Sequence, residues 1–167
     1  MANKQIILLR HGKSDWNSGE SRDHARPLND RGRRDVPKVA KWLGSLDINP
    51  AVILCSDAKR TRDTLDLILE NSGWEEKEIE IRILPELYLA SSSTIRNYIQ
   101  EVLSRHDSVL VVGHNPGMDF TLLELYPDSR ELALDKLMTT AAVAILESSD
   151  ESLADISLSA FRRPGDL

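Results

Sequence analysis

The stretch IILLRHGKSDWN, Ile6 to Asn17, decides how this chain is read. A short apolar run ends abruptly in Arg10, His11, Gly12, Lys13 and Ser14. Two phosphate chemistries compete for it. In one, Gly12-Lys13-Ser14 closes a nucleotide-binding loop. In the other, His11 attacks a phosphate that Arg10 clamps. The nucleotide loop needs a further glycine five residues before Gly12, where backbone N–H groups wrap the phosphates. Ile7 stands there, inside the apolar run, so that reading fails.

Outward from this stretch, apolar runs and helical patterns alternate. Ile6 to Leu9 precedes Val36, Val39, Ala40, Leu43 and Leu46, spaced as one helix face. Pro37 within that set requires a helix that starts near it or is kinked. Ala51 to Cys55 leads to a helix through Leu65, Ile68 and Leu69, with Ser56 or Asp57 as its N-cap. Glu80 to Leu84 precedes Ile95, Tyr98, Ile99, Val102 and Leu103. Val109 to Val112 runs into Gly113-His114-Asn115-Pro116, where Asn115 is the expected cap and Pro116 the first helical residue. Ala141 to Leu146 and Ile156 to Ser159 add late strands that need not pair as the others do. The alternation predicts an α/β fold with a parallel sheet and right-handed crossovers.

Composition bounds the possibilities. The 167 residues suit one domain over positions 1–167, and 41% apolar with 29% charged residues suits a globular protein. A net charge of −6 argues against a nucleic-acid or anionic-membrane binder, so any basic site is local. No apolar run approaches the roughly 20 residues of a membrane span. The single cysteine, Cys55, allows no internal disulfide, and the chain reads as cytoplasmic.

In a parallel sheet the residues just after each strand share one edge, where such folds bind ligands. Here they are Arg10 and His11, then Ser56 to Arg60, then Glu86, then His114. A cysteine phosphatase needs five residues between thiolate and arginine. Cys55 is followed by Arg60 after four and Arg62 after six, so the loop does not close. The histidines at 11, 24, 106 and 114 lack short metal-ligand spacing, and His24 and His106 read as exposed; no metal or other cofactor is expected. A histidine nucleophile fits better. A neutral imidazole with one nitrogen held by a carbonyl offers the other as a lone pair. Fixed cations then stabilise the transferring phosphoryl group, a task suited to Arg10 and Arg60. Arg60 and Arg62 lie about 200° apart on a helix, so one phosphate meets only one of them.

These residues resemble the histidine phosphatase superfamily, with its Arg-His-Gly signature. RHGKSDWN is similar to the opening motif shared with phosphoglycerate mutases, and SDAKRTRDT to the segment that carries the second arginine, here Arg60. VVGHNPGM resembles the late histidine motif, here His114, and RPLNDRG (Arg26 to Gly32) a segment of the compact SixA-type phosphohistidine phosphatases. The resemblance spans Ile6 to about Pro116. It implies a three-layer α/β/α sandwich of the phosphoglycerate mutase type, with a mostly parallel central sheet. It implies His11 as nucleophile and Arg10, Arg60 and His114 as the phosphate pocket. Asn17 falls where mutase relatives place a further phosphate contact, but is equally an ordinary loop asparagine. Glu86, in LPELY, matches the segment that carries a leaving-group acid, or is a solvated loop glutamate.

Only Tyr88 to Ser93 separates Glu86 from the next helical pattern, too little for a cap over the cleft. An open cleft suits phosphohistidine presented on another protein, such as a phosphotransfer domain, through a covalent phospho-His11 intermediate. The alternatives are a small-molecule phosphomonoesterase and a non-catalytic phosphohistidine-binding module. Lys13, Arg22 and Arg26, in the long loop from Gly12 to Asp30, are candidates to steer an acidic partner; Arg22 reads rather as a solvated loop charge, and Arg26 as a residue that holds the loop.

Overall fold

In the computed structural model, which describes residues 3–132 and 137–167, six strands form one sheet in the order β3-β2-β4-β1-β5-β6. Strands β1 (Lys4–Arg10), β2 (Val52–Ser56), β3 (Glu80–Leu84) and β4 (Ser108–Gly113) pair in parallel. The late strands β5 (Val143–Ser148) and β6 (Ile156–Arg162) are the exception: β5 runs antiparallel to β1 and to β6. The interior strands read as unbroken apolar runs because both their faces are covered. Ile6 and Leu8 join Val109 and Val111 in one core; Ile7 and Leu9 join Leu110 and Val112 in the other. Edge strand β3 carries Glu80 and Arg82, charges that discourage pairing with another chain.

Helices α1 (Asp30–Ser45) and α2 (Lys59–Ser72) cover the second core, and α3 (Ser92–Leu103) and α4 (Gly117–Leu125) the first. The result is the expected α/β/α sandwich. Helix α1 starts well before Pro37 and runs through it. Asn29 caps it, its side chain accepting from Gly32 N, and the burial of Val36, Val39, Ala40 and Leu43 offsets the hydrogen bond that Pro37 cannot make.

Two expected caps are corrected. Helix α2 begins at Lys59 after Ala58, with no side-chain cap, because Ser56 and Asp57 turn instead to His114 and His24. Helix α4 begins at Gly117, one residue later than expected, after a cis Asn115–Pro116 bond. Asn115 still satisfies that helix end, its Oδ1 accepting from Asp119 N. Among the described residues no helix is long and apolar enough to cross a membrane.

This topology sets β1 and β4 side by side at the centre of the sheet, so Arg10 pairs with Gly113 at their carboxyl ends. His11 and His114 follow those two residues directly. The connection from β1 to α1 is long but anchored. Ser14 bridges Leu28, Asp15 N donates to Pro27 O, and Asn29 N donates to Lys13 O. Arg26, 7% exposed, donates to Ser14 Oγ and lays its guanidinium 3.7 Å over the exposed Trp16 ring.

Candidate active site

His11 leaves the end of β1 with its backbone N–H donated to Gly113 O. Its Nδ1 lies 2.7 Å from the Gly12 carbonyl, which accepts only, so Nδ1 carries the proton and Nε2 the lone pair. Gly12 belongs here for space: a Cβ would stand 2.7 Å from Val36 Cγ2. Its N–H donates to Thr64 Oγ1, which ties the His11 loop to α2. Burial, reinforced by the charges of Arg60, Arg10 and Arg26, brings the His11 pKa down to about 3. The ring is therefore neutral at pH 7, the form a nucleophile needs.

Arg60 enters from the first turn of α2, on the buried face that it shares with Thr64. Its Nε lies 3.4 Å from His11 Nε2, and its Nη1 and Nη2 donate to the backbone and carboxylate of Asp23. Arg62 is exposed, as the helical geometry requires. Arg10 donates from Nη1 to Met138 O at 2.9 Å, while its buried Nε has no partner among the described residues. His114, whose ring centroid is 5.2 Å from that of His11, is the second buried imidazole. Ser56 Oγ accepts from Ala58 N and lies 2.8 Å from His114 Nε2. Among the described residues His114 Nδ1 is buried without a partner, and burial with His11 and Arg60 nearby lowers the His114 pKa to about 3.

Orphaned buried donors are rare in folded proteins and call for an explanation. Arg10 Nε is one, in a site where the His11 lone pair already faces Arg60. A tetrahedral anion supplies its acceptor. Cys55, by contrast, is buried with its thiol pushed up to about 12, mainly by burial. Among the described residues no group of three or more His, Cys, Asp or Glu side chains is arranged to hold a metal ion.

The remaining candidates lie further out. Asn17 is exposed, and its backbone N–H donates to Asp15 Oδ1. Glu86 is exposed in the single turn Pro85–Leu87 after β3, where it makes no hydrogen bond or ion pair with the other described residues. Lys13 is half-buried and Arg22 exposed. His106 stands 3.7 Å from Glu80 at the start of β3, away from the site. Both His24 and His106 depart from the expectation of exposed histidines: each is half-buried, and His24 sits at the rim, 2.8 Å from Asp57.

Sequence reasoning missed Asp23 and Tyr88. Asp23 accepts from Arg60, from Arg26 and from the Tyr88 hydroxyl. Burial opposes its charge, but those three hydrogen bonds hold its carboxyl well below the usual carboxylate range. No periodicity marks a loop aspartate of this kind. The one signal was its place inside the long polar loop, three residues before Arg26.

The fold and site together define an α/β protein with two buried histidines and two arginines at the carboxyl edge of its sheet. Residues 6–88 match the model of the histidine phosphatase superfamily, branch 1. The chain resembles the candidate phosphohistidine phosphatase SixA of Agrobacterium tumefaciens at 30% identity and TM-score 0.81, over 96% of this chain and 99% of that one. The tungstate complex of the protein histidine phosphatase SixA shares the fold at 24% identity and TM-score 0.81, over 97% and 98% of the two chains. An uncharacterised chloroplast protein of Arabidopsis thaliana is 35% identical over 124 residues, 70% of this chain. The match spans only 56% of that relative's length. The chain belongs to the histidine phosphatase superfamily.

Proposed function

We propose that this protein is a metal-independent phosphohistidine phosphatase that acts on phosphohistidine carried by another protein. The observation that carries the proposal is the His11 Nε2 lone pair, fixed by the Gly12 carbonyl and facing Arg60, in a site where Arg10 Nε is buried without a partner among the described residues. The names borne by the SixA neighbours point the same way.

His11 Nε2 attacks phosphorus, forming a P–Nε2 bond as the P–N bond of the substrate breaks. The departing imidazole takes the bonding pair and leaves neutral when its other nitrogen already carries a proton. Water then forms a new P–O bond, the pair of the P–Nε2 bond returns to His11, and both water protons stay on the phosphate. Arg10, Arg60 and His114 offset the charge spread over the phosphoryl oxygens, and preorganised donors of this kind account for much of catalysis. No step requires an acid for the leaving group, which agrees with the exposed, unpaired Glu86. Only residues 88–91 separate the turn at Pro85–Leu87 from α3, too few for a cap at that point, which suits a protein substrate.

The second reading, a small-molecule phosphomonoesterase, draws on Glu86 near the cleft as the acid that an alkoxide needs. The test incubates the protein with a phosphorylated histidine-containing phosphotransfer domain and, separately, with an aryl phosphate. Phosphate release is followed for wild type, His11→Ala and Glu86→Gln. The proposal expects release from the phosphorylated domain that requires His11 and survives Glu86→Gln within about twofold. Turnover of the aryl phosphate alone, lost on Glu86→Gln, establishes the second reading instead.

A further inference from the structure

The floor of the site is buried: His11, Arg60 and His114 are 6%, 4% and 2% exposed. A group carried on the phosphorus must extend from that floor toward solvent. Tyr88 spans this distance. Its ring meets His114 edge-on at 5.4 Å and 85° on the inner side, and His24 edge-on at 4.9 Å and 82° on the outer side. The Arg60 guanidinium lies 5.8 Å from its centroid. The hydroxyl donates to Asp23 Oδ2, so the ring is tied to the carboxylate that also orients Arg60. Outward of these contacts the side chains of Asp23 and His24 are 42% and 39% exposed.

We infer that Tyr88 is a specificity-determining residue, an aromatic wall that selects phosphate borne on a planar ring over phosphate borne on a small or aliphatic group. The inference rests on the phosphatase reading above and adds the class of leaving group. A planar leaving group beside Tyr88 continues the edge-to-face packing already made by His114 and His24, which a saturated group cannot do. The hydroxyl has a separate task, because its hydrogen bond to Asp23 fixes the ring's angle rather than touching the leaving group. Ring and hydroxyl can therefore be separated by substitution.

The test uses two P–N substrates whose leaving groups both depart as neutral amines: N-phosphoimidazole, which is planar, and phosphoramidate, which releases ammonia. The ratio of their kcat/KM values is measured for wild type, Tyr88→Phe and Tyr88→Leu. Intrinsic reactivity cancels when ratios are compared between variants. Tyr88→Leu should lower the imidazole preference about fivefold, the scale of one aromatic contact, and Tyr88→Phe should keep it within about twofold. A ratio unchanged in Tyr88→Leu, or lost equally in Tyr88→Phe, overturns the inference. Turnover by His11→Ala bears on the phosphatase reading alone, so the two failures are distinguishable.

Discussion

Arg60 Nε lies 3.4 Å from His11 Nε2, and the other two nitrogens of the same guanidinium hold Asp23. One planar fork thus faces the His11 lone pair and holds the loop that borders the cleft. A lysine offers a point charge without that fork. Arg60→Lys should therefore lower kcat by about 100-fold, close to the loss in Arg60→Ala. Steady-state phosphate release checks this, and near-normal turnover in Arg60→Lys would show that charge alone suffices.

Asp23 is the counterpart of that fork. Asp23→Asn keeps the shape but removes the charge that draws Arg60, Arg26 and Tyr88 together. kcat/KM should fall about tenfold, the scale of one charge-assisted hydrogen bond. Arg22→Ala, an exposed neighbour in the same loop, should leave it unchanged. Equal kinetics for Asp23→Asn and wild type would mean that Arg60 is oriented by α2 alone.

The strands and their order of appearance were legible because continuous apolar runs such as Ile6 to Leu9 and Val109 to Val112 fit only buried strands at those lengths. The edge of the sheet then follows from connectivity, and with it the meeting of His11 and His114. What stayed hidden depends on side chains that act away from their own element. Ser56 and Asp57 look like helix caps, yet their oxygens turn across the cleft to two histidines. Tyr88 reads as a loop residue, since no periodicity announces a ring that packs between His24 and His114. Pro37 suggests a helix boundary, but four buried apolar residues carry α1 past it.

His11 and His114 both titrate near 3 when folded, against an ordinary 6.5, mainly because burial disfavours their charged forms. Between those values the unfolded chain binds protons that the folded protein refuses. Stability from this source is complete above about pH 6.5 and declines as pH falls toward 3, by on the order of 2 kcal/mol per histidine at pH 5. The depressed Asp23 carboxyl acts in the same direction at lower pH. Urea midpoints at pH 7.5 and 5 should differ clearly for wild type and less for His11→Gln. An identical pH difference in both proteins would contradict a buried neutral imidazole at position 11.

Gly32, in the first turn of α1, has the Lys13 carbonyl where a Cβ would stand. That carbonyl also accepts from Asn29 N, so the helix start and the loop behind His11 meet at one point. Gly32→Ala should destabilise the protein by about 1–3 kcal/mol, as overpacking does, and reduce activity through the displaced loop. Chemical denaturation measures the first effect. Wild-type stability in Gly32→Ala would show that the loop shifts freely.

The central claim is a covalent phosphate on His11. Rapid quenching in alkali during turnover of a phosphorylated phosphotransfer domain, followed by mass spectrometry of the peptide that contains Arg10-His11-Gly12, tests it directly. The account predicts a transient mass increase of one phosphoryl group on His11, absent from His11→Ala, and accumulated when hydrolysis is slowed. Turnover with no phosphoryl group on His11 at any quench time, or the same adduct on another residue in His11→Ala, would contradict it.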